Sequence, residues 1–148
     1  MSRPYYETPE EAEAAFYRCF ERGDAGEMMT VWDQTDDIVC IHPFGRRLEG
    51  VAAVKKGWGG ILSGRQRLQF RVESGLSYAD DKLVVHAVLE HIQVIGDDTD
   101  HMPIIATNIY RLGDDGWRMI LHHSSPQPKP EEAEEAEEKT TEESRTLH

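Results

Sequence analysis

Residues 37–45 read DIVCIHPFG, an apolar run of strand length that stops on His42 against a proline. An imidazole titrates near about 6.5, so it moves protons at neutral pH without a specially tuned environment. Pro43 fixes the backbone beside the ring, which helps to hold it in one orientation. His42 is therefore the candidate general base or polar anchor for a ligand. The alternative is a histidine at a strand end, bonded to a backbone group.

Other residues of chemical interest sort by strand alternation. If Leu83, Val85, Ala87 and Leu89 face the interior, His91 shares that apolar face. Trp117, Met119, Leu121 and His123 would lie together, with Arg118, Ile120 and His122 pointing the other way. On that reading His42, His91 and His123 converge on one cavity, with Trp32 and Trp58 as its aromatic walls. An apolar cavity with a few placed polar groups suits a small apolar molecule. Tyr17 on the first helix and one of the neighbours Thr107 and Asn108 are further lining candidates. For His91 and His123 the competing reading is hydrogen bonding inside the core.

Metal and nucleophile chemistries find less support. Neighbouring strand residues point to opposite faces, so His122 and His123 cannot both serve one ion. No HExxH or CxxC spacing occurs. The expectation is a site without metal or cofactor. Ser124 and Ser125 follow the histidines, but there is no GxSxG elbow and no acid placed to orient a base. They read as a strand end turning into a linker.

The elements that must position these residues follow from capping and periodicity. Thr8-Pro9-Glu10-Glu11 offers an N-cap, a proline at the first helical position and acids on the positive helix end. Ala12, Ala15, Phe16, Cys19 and Phe20 then recur at helical spacing up to Gly23. Asp24 can cap a second helix, Ala25 to Trp32. A strand over Ile38–Ile41 and a third helix within Leu48–Leu62, frayed by Gly57, Gly59 and Gly60, come next. Strand-length runs follow at 69–78, 83–95, 104–112 and 117–123, with turns at Asp80-Asp81 and Gly113–Gly116. Helices first and strands after predict an α+β fold. In it, three N-terminal helices pack on a curved mixed or antiparallel sheet to form a cone with an internal pocket.

The stretches AFYRCFERGDAGEMMTVW, DIVCIHPFGRRLEGVAAVKKGW, ATNIYRLGDDGWRMI and LHHSSP, in this order, resemble the superfamily of nuclear transport factor two, SnoaL polyketide cyclases and ketosteroid isomerases. The last two stretches are most similar to its SnoaL-like subgroup. The resemblance covers roughly residues 8–126 and implies the cystatin-like α+β cone. In ketosteroid isomerases the residue before the Pro-x-Gly corner is an aspartate acting as base; here His42 holds that place. The tyrosine that stabilises the enolate there corresponds to Phe16, with Tyr17 one residue off, and the matching aspartic acid corresponds to Thr107. A steroid-isomerase oxyanion site is thus not carried over. What the resemblance implies is an acid–base lyase or isomerase on a carbonyl or hydroxylated substrate. Its alternative is a non-catalytic homo-oligomerisation module. It also implies a homodimer through the outer sheet face, which alternation assigns to His86, Val88, Glu90, Ile104, Ala106, Asn108 and Tyr110.

The bulk composition bounds the rest. The 148-residue chain fits one cone, 1–126, followed by a Pro-containing linker and an acidic disordered tail, 127–148. Of the net charge of −12, half lies in residues 131–148, where eight Glu oppose Lys139 and Arg145. No strong basic footprint remains for nucleic acid. No apolar run is long enough to span a membrane. With no secretory h-region, and with Cys19 and Cys40 read as reduced core residues, a cytoplasmic location is expected.

Overall fold

The structure is a computed structural model that describes residues 3–64, 66–128, 135 and 137–143. Helix α1, Pro9–Arg22, starts at the predicted cap, with the Glu11 N–H donating to Thr8 Oγ1 at 3.1 Å. Glu11 Oε2 accepts from the Glu7 N–H at 2.8 Å, one residue before the cap, which closes the first turn. Asp24 caps α2, Ala25–Val31. Strand β1, Val39–Ile41, pairs antiparallel with β2, Leu48–Glu49, and α3 spans Gly50–Leu62. The glycines expected to fray α3 lie inside it instead. At Gly57 a Cβ would sit 2.4 Å from Leu48 Cδ1, so the missing side chain lets α3 close onto β2 beside His42.

Four long strands follow: β3, Leu68–Ala79; β4, Leu83–Val94; β5, Ile104–Gly113; and β6, Gly116–Ser125. The six-stranded order is β2-β1-β6-β5-β4-β3, antiparallel throughout except for the parallel β1–β6 pair. This is the expected α+β cone with a mixed sheet. The core holds Phe16, Met28, Val31, Trp32, Ile38, Val54, Trp58, Tyr110 and Met119, all buried. Arg111 on β5 binds Asp33 and Asp37 at 2.8 Å each and so fixes the segment between α2 and β1. Its guanidinium, with the Thr35 hydroxyl, holds the Asp37 carboxyl well below the ordinary carboxylate range. Most of the expected linker and acidic tail falls outside the described residues; residues 137–143 are helical and exposed.

Two strand faces differ from the sequence reading. On β4 the buried positions are Val84, His86, Val88 and Glu90, while Val85, Ala87 and Leu89 point outward. Both sets carry apolar residues, so alternation alone does not choose between them. On β5 the inward set is Ala106, Asn108 and Tyr110. The residues first assigned to the outer face are therefore the inner ones. On β6 a bulge resets the parity: Ile109 pairs with Leu121 and Tyr110 with Met119, leaving Ile120 as the extra residue. Met119 and His122 consequently both face inward, and His123 is exposed.

Candidate functional site

The inner face brings seven polar side chains together under α1. Glu13 and Tyr17, one helical turn apart, supply one side. His86 and Glu90 on β4, Asn108 and Tyr110 on β5, and His122 on β6 supply the other. Glu13 Oε2 accepts from His86 Nδ1–H at 2.8 Å, from the Tyr110 hydroxyl at 2.8 Å and from Asn108 Nδ2 at 3.4 Å. The Tyr17 hydroxyl donates to Glu90 Oε2 at 2.6 Å and accepts from Asn108 Nδ2 at 3.0 Å. His122 Nδ1–H donates to Asn108 Oδ1 at 2.6 Å. One helix and three strands are thereby stitched by a network whose members engage one another, the condition under which buried polar groups rigidify a core.

Burial sets the charge states. Glu90 is 2% exposed, and desolvation pushes its carboxyl from 4.5 up to about 7, although the Tyr17 bond lowers it and the nearby Glu13 raises it. Tyr17 moves in the same direction, through burial and the Glu90 charge, and stays protonated. Desolvation, reinforced by His42 and His123, drives His122 down to about 3. At neutral pH it is an uncharged donor to Asn108.

His42 sits where expected, at the end of β1, half-buried, with its Nε2 3.4 Å from Cys40 Sγ. Burial lowers it to about 4, so its ring is neutral at pH 7. Burial also raises the Cys40 thiol far above its usual range, which makes Cys40 no nucleophile. The His42 ring meets Trp58 edge-on at 4.6 Å between centroids, and Trp58 in turn packs on Phe16, Phe20 and His122. These rings occupy the interior between α1, α3 and the sheet. The indole N–H of Trp58 is buried there without a hydrogen-bond partner.

Of the eight residues singled out by sequence, His42, Trp58, Tyr17 and Asn108 meet in this interior. Trp32 is in the core at the end of α2, where it bridges Met119. His91, Thr107 and His123 are on the opposite face; Thr107 pairs with His123 across β5 and β6, and His91 with Arg71 across β3 and β4. The expected convergence of His42, His91 and His123 does not occur, because β4 has the opposite parity and the β6 bulge turns His122 inward in place of His123. Glu13, His86, Glu90, Tyr110 and His122 were not foreseen as partners. The available signals were Glu13, one helical turn before Tyr17, and the single face that alternation gives His86, Glu90, Asn108 and Tyr110. Among the described residues no three His, Cys, Asp or Glu side chains cluster in a metal-binding arrangement.

The outer face has its own character. One row across the sheet reads Tyr78, Val85, Ile109, Leu121 and Val39; a second includes Leu89 and Ile105. Tyr78 is 61% and Ile105 46% exposed.

The profile of the SnoaL-like domain family matches residues 10–129. The chain belongs to the SnoaL-like family. A solved structure from Thiobacillus denitrificans, described provisionally as a calcium/calmodulin-dependent protein kinase type II association domain, is 41% identical to this SnoaL-like chain. The match covers 84% of this chain and 99% of that one, with a TM-score of 0.80. A Streptomyces avermitilis protein of the NTF2-like family, described provisionally as a dehydratase, is 26% identical over 80% of this chain and 92% of its own, with a TM-score of 0.72. The F-box protein SKIP8 of Arabidopsis thaliana is 24% identical over 98 residues, which is 66% of this chain but 40% of that protein. No helix among the described residues is long and apolar enough to cross a membrane.

Proposed function

We propose that this SnoaL-like domain is a self-associating module that pairs with a second copy through the outer face of its sheet. One observation carries this reading: over residues 83–89 of β4 the outward side is wholly apolar, with Leu83, Val85, Ala87 and Leu89 ahead of His91 and Gln93, while the inward side carries His86 and Glu90. A strand normally turns its apolar side to the more buried surface, so a covered outer face restores the usual order. Ile109, Leu121 and Ile105 extend the patch over three strands. The relative described as an association domain supports the reading, and the internal engagement of the inner polar groups is in keeping with a structural interior. The test is sedimentation velocity on the wild type and on an Ile109→Glu variant. A charge at the centre of the patch shifts the variant to monomer with its circular dichroism unchanged. An unchanged sedimentation coefficient for the folded variant refutes the reading.

A second reading rests on the unpartnered Trp58 indole N–H beside the neutral His42 ring. A buried donor without an acceptor is costly, and the oxygen of a small carbonyl or hydroxylated molecule would satisfy it. His42 is then the base, as the resemblance implies, and the relative described as a dehydratase supports an acid–base reaction. Native mass spectrometry of the purified chain tests this: an added small-molecule mass that His42→Ala loses supports it, and a bare chain mass opposes it.

A further inference from the structure

We propose that a cavity on the outer sheet surface, beyond the apolar rows, binds a small carboxylic acid that also carries hydrogen-bond donors, such as an amino or hydroxy acid. The cavity is an open groove of about 450 Å³, within the volume range of small-molecule sites. It lies over the start of β3 and the end of β4 and is bounded by the loop bearing Asp98, Asp100 and His101. Arg71 and His91 stand directly opposite each other in the β3–β4 register and both line it. Cross-strand neighbours of this kind are within contact distance, and two groups that can be cationic repel when nothing lies between them.

Neither group has a hydrogen-bond partner among the described residues. His91 Nε2 is buried, and its one acidic neighbour, the Glu73 carboxylate at 3.9 Å, makes a long ion pair with it but lies beyond hydrogen-bond reach. The Arg71 guanidinium has no ion pair among the described residues. A carboxylate placed between them meets the planar fork of arginine and the free ring nitrogen at once. Asp98 and Asp100 across the cavity exclude a dense anion such as phosphate and call for donors on the same molecule. An ammonium or hydroxyl group a few bonds from the carboxylate provides them.

The test is an amide-resolved NMR titration of the full chain with L-serine, L-lactate and, as a carboxylate lacking other donors, propionate. Saturable shifts confined to residues 69–71, 91–93 and 98–101 are expected for serine and lactate, with propionate weaker. Arg71→Gln, at a position on the edge strand that should leave the fold intact, weakens serine and lactate by about tenfold or more. An Asp98→Asn, Asp100→Asn double variant brings serine down to the level of propionate. The proposal is overturned by the absence of saturable shifts at tens of millimolar, by equal binding of propionate and serine, or by undiminished binding to folded Arg71→Gln.

Discussion

Replacing Glu90 by glutamine isolates the one buried carboxyl of the network whose charge burial penalises. The carboxyl titrates near 4.5 when unfolded and near about 7 when folded, chiefly because burial penalises its charge. Below pH 4.5 it is protonated in both states and adds no pH dependence. As the pH rises from 4.5 to 7 the unfolded chain ionises first, and stability is lost over that window. Each pKa unit is worth 1.36 kcal/mol, so the total loss is about 3 kcal/mol, complete above pH 7. Glutamine keeps an oxygen for the Tyr17 hydroxyl and removes the ionisation. Urea denaturation of both proteins at pH 5 to 8 measures the difference. His42 and His122 act with the opposite sign, since lowered histidines cost stability as pH falls below 6.5, so the raw curves bend. Subtracting wild type from Glu90→Gln cancels that contribution. The difference should grow in favour of the variant by about 2.5 kcal/mol between pH 5 and 8, the rest of the loss having occurred below pH 5. Parallel curves would refute the reasoning.

Tyr17→Phe removes the donor to Glu90 and the acceptor of Asn108, at a cost of about 1–3 kcal/mol in denaturant midpoint analysis. Because the lost bond lowers Glu90, its titration moves further up, and the pH sensitivity extends above 7. Gly116 has φ 93°, and a Cβ there would meet the Tyr6 carbonyl oxygen at 2.7 Å, so Gly116→Ala should lower thermal stability by an amount on the order of 1–3 kcal/mol. Placing the charge elsewhere on the outer patch, as in Leu121→Glu, should dissociate the pair as Ile109→Glu does, whereas His122→Asn, on the inner face, should leave the mass unchanged.

The helices and strands were legible because their signals are local. The Thr8-Pro9 start, the Asp24 cap and the Gly113–Gly116 turn each act within a few residues. The faces were less legible. On β4 both alternating sets contain apolar residues, and over residues 83–89 the purely apolar set is the outward one, so the rule that hides apolar residues picked the wrong side of an isolated chain. On β6 the single extra residue Ile120 exchanges His122 for His123, and nothing in LHHSSP marks a bulge. His42 was legible because proline pins the strand end that it occupies. Glu13, His86, Glu90 and Tyr110 were not, since their network exists only after α1 has docked on three strands distant in sequence.

The most direct test of the central claim is the mass of the full chain in solution, by light scattering across a range of micromolar concentrations. A self-associating outer face requires twice the 16.9 kDa chain mass, falling to one chain in Ile109→Glu. A wild-type mass of 16.9 kDa at every concentration would contradict it.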